Sequence, residues 1–225
     1  MNWKSEVQKT CASETIFKNI CAFVELVLEY NQKFNLTGFD EQTIWKDGIY
    51  QSIKLLDFEI KKDSGFSLLD VGSGCGFPSI PYLIFKDNKF DLTIIESSQK
   101  RVNFLKVVKE KLKLKSLTLI NQRAEDVKDQ TEKFDYVTAR AVASLKILLE
   151  ITTLFGKINS QYFFLKSNLI EQELNEAKII INNLKIMNLS VKEVDINDDR
   201  KHFIVGYIKK HKSPKNFPRK WHQIK

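Results

Sequence analysis

The sequence predicts a protein of the α/β class, with a mostly parallel sheet covered by helices on both faces and a helical extension before it. Two observations lead to this fold class. From residue 66 onward, short apolar stretches typical of strands alternate with amphipathic stretches of helical period, as in sheets whose crossovers are helices. A glycine-rich turn at residues 72–76 follows the first of these strands, which is the usual first turn of such a sheet.

The first 60 residues contain two predicted helices. One covers residues 13–30 and the other residues 41–56, while the stretch NQKFNLTGFD between them has the composition of a turn. In the first helix, apolar residues recur at helical spacing and should face a core: Ile16, Ile20, Phe23, Val24 and Val27.

Strands and helices then alternate along the chain. The predicted strands are FSLLDV (66–71), DLTIIE (91–96), SLTLI (116–120), FDYVTA (134–139), SQYFFLK (160–166) and two near 186–194 and 201–209. Helices are predicted from Pro78, over 99–112, from about Ser144 and over 170–184. We expect the last two strands to form an antiparallel pair. The chain thus divides into a helical extension (1–60), an α/β domain (61–210) and a basic tail (211–225).

Composition bounds the classes of protein that fit. With 225 residues and 43% hydrophobic content, the chain can bury a sizeable core. It contains no apolar run long enough to span a bilayer, and residues 1–15 lack a signal-peptide core, so we expect a cytoplasmic protein. Cys11, Cys21 and Cys75 are odd in number and lack metal-ligand spacing, which predicts neither a disulfide framework nor a zinc site.

The positive charge is concentrated at the C-terminus. The net charge is +8, and the stretch KKHKSPKNFPRKWHQIK (209–225) carries seven Lys or Arg residues without an acidic one. Phe217 and Trp221 are interleaved among these residues. Lysines that neutralise phosphates and aromatic rings that stack on unpaired bases predict a contact with RNA or DNA. The alternative is a solvated, frayed terminus without a partner.

The stretch LLDVGSGCGFPSIP (68–81) predicts a ligand that approaches the backbone closely. Gly72, Gly74 and Gly76 allow positive φ and leave side chains absent, while the two prolines, Pro78 and Pro81, should lie in the first turn of the next helix. The dinucleotide fingerprint would need a third glycine one position later, at residue 77, and no Lys-Ser or Lys-Thr of a P-loop follows. A nucleoside-like ligand without a pyrophosphate fits.

Glu96 ends the next predicted strand, 24 positions after Gly72. An acidic residue at this place can bond the hydroxyl pair of a ribose, and a glycine turn followed by a strand-end Glu is the arrangement that methyltransferases use for S-adenosylmethionine. Glu96 and the adjacent Ser97 are therefore candidate cofactor residues. Alternatively, Glu96 caps the helix that begins in SSQKRV, and both roles can hold together.

The sequence restricts the methyl acceptor by what it lacks. It contains no Asn or Asp followed by Pro-Pro and an aromatic residue, the tetrapeptide of exocyclic amine methylation, and its histidines all fall late, at His202, His211 and His222. An acceptor that already carries an unprotonated lone pair, such as guanine N7, needs alignment but no general base. The residues permit this chemistry without proving it.

These motifs together resemble one family. The chain is similar to the RsmG (GidB) methyltransferases in FNLTGF (34–39), the stretch 68–81, SSQKRVNFLKVV (97–108), QRAEDV (122–127), TARAVASL (138–145), FLKS (164–167) and FPRK (217–220). The resemblance implies a Rossmann-like, class I S-adenosylmethionine-dependent methyltransferase fold that modifies guanine N7 in 16S ribosomal RNA, at guanine 527. It implies that Gly72 and Phe77 contact the cofactor in the first turn, Ala124 and Glu125 contact its adenine side, and Arg140 contacts it after the fourth strand.

Three basic residues of the motifs are candidate catalytic residues. Arg140 could position the methionine carboxylate or the target nucleotide, while Arg123 and Lys166 could hold RNA phosphates or the guanine edge. Alternatively, Arg123 pairs with an acidic neighbour in QRAEDV, and Lys166 extends along a strand end with its ammonium in water. No metal is implied, and the expected partner is the 16S RNA or the small ribosomal subunit, bound by a monomer.

The chain departs from the family pattern at two places. After the second helix the family has a His and an Asp where this chain has Gly48 and Gln51, although Ser52 is retained. These positions either shape the acceptor pocket or link the N-terminal helices to the core. The tail differs by Trp221. Two other functions therefore stay open: a different RNA methyltransferase, for example one acting on ribose with Lys166 as base, or a non-catalytic RNA-binding assembly factor.

Overall fold

The computed structural model describes residues 1–166, 169–195 and 201–224. The chain forms two compact units. The first consists of residues 1–65 and 73–121, and the second of residues 66–72 and the described residues from 122 to 224. The predicted division at residues 60 and 210 stays a prediction. Within the described residues, no helix has the length and apolarity that crossing a membrane requires.

The N-terminal part of the first unit is helical. Helix α1 (Trp3–Thr10) precedes α2 (Glu14–Phe34), and α3 (Glu41–Thr43) continues through a π-helical stretch, Ile44–Tyr50, into α4 (Gln51–Glu59). Side-chain caps start these helices, because Asn2, Ser13 and Asp40 each accept a hydrogen bond from the backbone N–H three residues later. Both predicted helices are confirmed, whereas α1 and the π-helical stretch were not predicted.

All the predicted strands are present and form a seven-stranded sheet. They are β1 (Ser67–Val71), β2 (Asp91–Ile95), β3 (Leu117–Ile120), β4 (Phe134–Arg140), β5 (Gly156–Lys166), β6 (Ser190–Val194) and β7 (His202–Ile208), in the order β3-β2-β1-β4-β5-β7-β6. Pairing is parallel between β2 and β3, β1 and β4, and β4 and β5, and antiparallel where β7 joins β5 and β6. The strand order reverses between β1 and β4. Such sheets bind ligands at this switch point, beside the carboxyl ends of the strands.

The helices between the strands begin close to their predicted positions. They are α5 (Ser79–Phe85), α6 (Gln99–Lys111), α7 (Leu145–Thr152), α8 (Ile170–Asn183) and the short α9 (Trp221–Ile224). The expectation that both prolines lie in the first turn of α5 is wrong for Pro78, which is the N-cap residue, while Pro81 lies inside the helix. The reason is that the N–H groups of Gly76 and Phe77 still donate to Ser73 O, so the preceding turn closes before the helix begins.

Each unit has its own core. In the first, the predicted inward residues of α2 are buried, and Tyr30 packs against Phe104 of α6 with ring centroids 5.3 Å apart. In the second, Tyr162 of β5 stacks on Tyr207 of β7 at 4.5 Å, and its buried hydroxyl receives a hydrogen bond from Gly156 N at 2.8 Å. These packed cores hold the strand ends that carry the predicted site residues.

Candidate active site

The glycine turn of the first unit leaves its backbone open on one side. Gly74 and Gly76 have φ of +63° and +106°, which side chains rarely adopt. A Cβ on Gly76 would lie 2.6 Å from Ile80 Cγ1, so the inner side of the turn is filled. A Cβ on Gly74 would meet nothing nearer than Arg101 Cζ at 4.0 Å, so a ligand can reach the backbone there.

The carboxylate of Glu96 closes this turn. It is only 3% exposed, and it accepts hydrogen bonds from Gly74 N at 3.0 Å and from Ser98 N at 2.8 Å. Ser98 is the N-cap residue of α6, so the capping role considered for Glu96 holds in part. A carboxylate has about four acceptor positions, and the two oxygens thus retain capacity for donors such as a pair of ribose hydroxyls. Arg101 Nη1 lies 3.9 Å from Glu96 Oε2 and adds a positive charge.

Asn121 is a site residue that the sequence did not reveal. It directly follows β3, and its Nδ2 donates to Glu96 O at 2.9 Å and to Ser97 O at 3.2 Å. It thereby fixes the backbone at the end of β2, where two candidate cofactor residues lie. The available signal was its place directly after a predicted strand, next to the QRAEDV motif.

Phe77 packs away from the solvent, behind the glycine turn. Its side chain is 6% exposed. Its ring packs edge-on against Phe23 with centroids 5.7 Å apart, and it stacks on Phe39 with centroids 6.2 Å apart. Ser73, in the same turn, has a buried hydroxyl without a hydrogen-bond partner among the described residues. A buried hydroxyl without a partner is costly, so this atom is suited to a ligand's polar group.

In the second unit, the ends of β1 and β4 meet. Gly72, directly after β1, has φ of +73°, and a Cβ on it would lie 2.7 Å from Val142 Cγ2. Val142 belongs to the turn after Arg140, the last residue of β4. Ala141 in this turn has φ of +55°, an uncommon conformation for a residue with a side chain and one that clusters at functional sites. The structure therefore brings Gly72 close to the turn that carries Arg140.

Ala124 and Glu125 lie in a 3₁₀ turn of the second unit, and each is 7% exposed. Glu125 Oε1 is buried and has no hydrogen-bond partner among the described residues, although Arg123 Nη1 lies 3.8 Å from it. The considered pairing of Arg123 with Glu125 thus exists as a long ion pair. Because an oxygen in this state can accept a hydrogen bond from a ligand, the turn suits the recognition of an amino group.

Lys166, at the end of β5, has an internal partner. Its side chain is 7% exposed, and its Nζ donates to Glu173 Oε2 at 2.6 Å and to Ala143 O at 2.7 Å. Glu173 of α8 also accepts from Leu145 N, the first residue of α7, at 2.6 Å. Through Glu173, Lys166 connects α7 and α8 to the end of β5. Two of its three ammonium N–H donors are used in these bonds, and one remains. Ser167 of the FLKS motif lies outside the described residues.

The basic C-terminal segment is fixed to the second unit. Glu150 of α7 is 1% exposed, and it accepts from Arg219 N at 2.9 Å, Nε at 2.8 Å and Nη2 at 2.7 Å. The Arg123 guanidinium lies over the Trp221 ring, 5.4 Å from its centroid. The alternative of a frayed terminus is therefore wrong at Arg219 and Trp221, which these side-chain contacts hold. Lys225 lies outside the described residues.

Lys209 does not belong to the exposed charges of this segment. Its ammonium is buried and donates to Thr153 O at 2.9 Å and to Gly156 O at 3.0 Å. Burial lowers the pKa of Lys209 to about 8. The prediction that Lys209 contacts nucleic acid is therefore wrong, because its ammonium is buried and bonded to these two carbonyl groups.

Comparison with known proteins identifies the family. The family model GidB, described as rRNA small subunit methyltransferase G, matches residues 16–204. The chain belongs to the GidB family.

Full-length relatives agree with this family. The Ribosomal RNA small subunit methyltransferase G of Mycoplasmopsis pulmonis is 43% identical over 205 residues, which cover 90% of this chain and 88% of the relative. The protein of the same name from Lactococcus lactis subsp. lactis is 40% identical over 216 residues, which cover 92% and 89%. The resemblance expected from the motifs is confirmed.

Solved structures share the fold. A SAM dependent methyltransferase from Aquifex aeolicus superimposes with a TM-score of 0.59 at 20% identity, over 75% of this chain and 93% of that one. The M. jannaschii TYW2 structure in complex with AdoMet gives 0.54 at 18% identity, over 72% and 74%. The predicted fold class of this GidB family chain, a Rossmann-like methyltransferase fold with helices before it, is confirmed.

The residues at the first departure from the family pattern, Gly48 and Gln51, are both buried. Gly48 lies in the π-helical stretch, and Gln51 begins α4 at 6% exposure. The retained Ser52 donates from Oγ to Gly48 O at 2.6 Å. These residues therefore contribute to the packing of the N-terminal helices in the first unit, and their relation to an acceptor stays a prediction.

Proposed function

We propose that this chain is an S-adenosylmethionine-dependent methyltransferase that methylates guanine N7 in 16S ribosomal RNA. Membership of a family whose model covers residues 16–204 and whose relatives are named for the small-subunit RNA supports the activity. The observation that carries the cofactor assignment is the buried Glu96 carboxylate, which hydrogen-bonds the glycine turn and retains acceptor capacity next to the open face of Gly74.

The residues present fit the proposed cofactor. In the first unit, the ribose would be held by Glu96, with the backbone supplied by Gly74, Gly76, Phe77 and Ser97. In the second unit, the proposed cofactor residues are Gly72, Ala124, Glu125 and Arg140. S-adenosylmethionine supplies an electrophilic methyl group on a positively charged sulfur. In the first unit, the Ser73 hydroxyl is a buried polar atom without a hydrogen-bond partner among the described residues, and a ligand of this kind would satisfy it.

The proposed acceptor atom explains why the chain needs no strong base. Guanine N7 carries a lone pair and no proton, so the protein's contribution is alignment and exclusion of water. Methylation of a pyrimidine carbon would need a thiolate, but burial raises the pKa of Cys11 to about 11, raises that of Cys21 as well, and leaves Cys75 at 4% exposure. Cys11 and Cys21 therefore stay protonated near neutral pH, and the buried Cys75 suits packing.

The positive charges have separate proposed roles. Arg140 directly precedes the turn that packs over Gly72, which suits a contact with the methionine carboxylate or the target nucleotide. Arg123 has a side chain 56% exposed and suits a phosphate. Lys166 has one remaining donor, and because its ammonium is bonded to a carboxylate it suits orientation of a neighbour better than proton abstraction.

The deciding experiment is methyl transfer to small ribosomal subunits that lack the modification. Incubation with S-adenosylmethionine labelled in the methyl group should place the label on a guanine N7 of 16S RNA. Label on a ribose would establish the other RNA methyltransferase instead. If there is no label and no thermal shift with either S-adenosylmethionine or its demethylated product, the chain is a non-catalytic assembly factor.

Arg140→Ala tests the role of that residue. We expect loss of transfer with little change in thermal stability, because Arg140 ends its strand at the proposed site. Lys133→Ala is the matched control, since this exposed cation lies beside the opposite end of β4 and should keep full activity. Wild-type turnover in Arg140→Ala would remove Arg140 from the mechanism.

We also propose that the protein acts as a cytoplasmic monomer. Cys11, Cys21 and Cys75 form no disulfide within the described residues, which is the usual state of cysteines in a reducing compartment. Light scattering of the purified chain at micromolar concentration should give the mass of one chain, 26.2 kDa.

A further inference from the structure

The ring of Phe77 lies directly on the backbone of Gly48. A Cβ placed on Gly48 would be 2.7 Å from Phe77 Cζ, 2.9 Å from Cε1 and 3.1 Å from Cε2. These separations are shorter than van der Waals contact between carbons, which is about 3.5–4.0 Å. Any side chain at residue 48 therefore requires the ring or the helix to move.

Neither partner moves easily. The Phe77 ring is held by Phe23, which is fully buried, and by Phe39. On the other side, Gly48 lies inside the buried π-helical stretch Ile44–Tyr50, and its carbonyl accepts from Ser52 Oγ. In a close-packed interior an added methyl group forces side chains off their rotamers and shifts the backbone.

Phe77 directly follows the glycine turn, so a shift of its ring also strains this turn. Phe77 N and Gly76 N both donate to Ser73 O at 3.0 Å. The backbone of Phe77 is therefore hydrogen-bonded to the glycine turn. Gly74 in this turn is bonded to Glu96 through its N–H. A displacement of the ring is thus transmitted to the backbone that faces the open side of the turn.

We propose that Gly48 is a positioning residue for cofactor binding: the absence of its side chain seats Phe77 and so fixes the path of the turn from Ser73 to Phe77. The inference rests on the proposed function, in which this turn binds S-adenosylmethionine. It adds a residue of the N-terminal helices to the determinants of cofactor affinity, although Gly48 itself does not touch the ligand.

The test compares two glycine substitutions by calorimetric titration with S-adenosylmethionine. Gly48→Ala should weaken binding at least about fivefold, the effect of a modest overpacking strain, and should raise KM for the cofactor more than it changes kcat. Gly38→Ala is the matched control, because a Cβ there meets no atom within 4 Å, and its affinity should equal that of the wild type.

A double-variant cycle separates positioning from general destabilisation. Phe77→Leu removes the tip of the ring and is expected to weaken cofactor binding by itself. In this background Gly48→Ala should cost less than about twofold in affinity, since the clash is gone and the two effects are coupled. An equal loss in both backgrounds, or a lower melting temperature with unchanged affinity in Gly48→Ala, would overturn the inference.

Two further outcomes are informative. If Gly48→Ala does not fold, a folded Gly48→Ala/Phe77→Leu double variant supports the proposed contact, while a double variant that also fails to fold contradicts it. If the wild-type protein does not bind S-adenosylmethionine, both the proposed function and the role of Gly48 are wrong. Normal binding by both the wild type and Gly48→Ala refutes only the role of Gly48.

Discussion

The contact between Glu150 and Arg219 should contribute strongly to stability, and Arg219→Met tests it. The Glu150 side chain is 2% exposed, and all three of its bonds to Arg219 are shorter than 3.0 Å. Methionine retains much of the apolar stem but removes the guanidinium. The carboxylate then keeps the bond from the backbone N–H and loses the other two while it stays buried.

The magnitude follows from these lost bonds. A hydrogen bond to a charged group contributes about 1.5–3 kcal/mol, and two such bonds give an upper range of about 3–6 kcal/mol. The Arg219 side chain is 43% exposed, so water can replace part of the lost interaction and the low end applies. We expect a loss of about 3 kcal/mol, which for a chain of this size lowers the melting temperature by about 6–12 °C.

The assay is urea and thermal unfolding of the full chain. Lys33→Met serves as the control, because both side chains of the Lys33–Glu29 pair are more than half exposed and their loss should leave the stability nearly unchanged. The double variant Glu150→Leu/Arg219→Met should recover most of the stability, since it leaves no buried charge. If Arg219→Met unfolds within about 0.5 kcal/mol of the wild type, the buried carboxylate does not depend on its partner and the reasoning is wrong.

Three other predictions concern buried groups and the glycine turn. The pKa of Lys209 is lowered from 10.5 to about 8 in the folded state, so the unfolded chain binds more protons between these values. In denaturant unfolding, wild-type stability should therefore rise relative to Lys209→Met by about 2–3 kcal/mol as the pH increases through this window. Gly72→Ala should cost about 2–4 kcal/mol through its positive φ and its approach to Val142, and Val142→Ala should restore part of that loss, as measured by thermal melting. Glu96→Gln, whose amide cannot accept from both backbone donors, should weaken S-adenosylmethionine binding at least about tenfold; unchanged affinity in a titration would exclude Glu96 from the site.

Local patterns predicted much of the fold and part of the site. Period-2 and period-3.6 spacing located every strand and the main helices, because each signal depends on residues within a few positions of one another. The same holds for the glycine turn and for Glu96, which end their strands as expected. The π-helical stretch Ile44–Tyr50 was not predicted. Its hydrogen bonding differs from that of an α-helix, but no distinct residue pattern accompanies the difference.

Partners far apart in the chain could not be predicted. Glu150 and Arg219 are separated by 69 positions, and nothing near either residue signals the other. Asn121 lies 25 positions from the carbonyl of Glu96 to which it donates. From its position in the sequence, Lys209 was predicted to be one more exposed cation of the basic tail, although its ammonium is buried and bonded to Thr153 O and Gly156 O.

By itself the amino-acid sequence determined the fold class, the order and approximate limits of the strands, the family and the turn at which a nucleoside-like ligand should bind. These follow from short-range periodicity and from motifs that are contiguous in the chain. Only the tertiary structure decided which cations are exposed, which carboxylates are buried, that β7 lies between β5 and β6, and that Gly48 receives the ring of Phe77. Burial and pairing depend on which distant segments pack together, and that information is distributed over the whole folded chain.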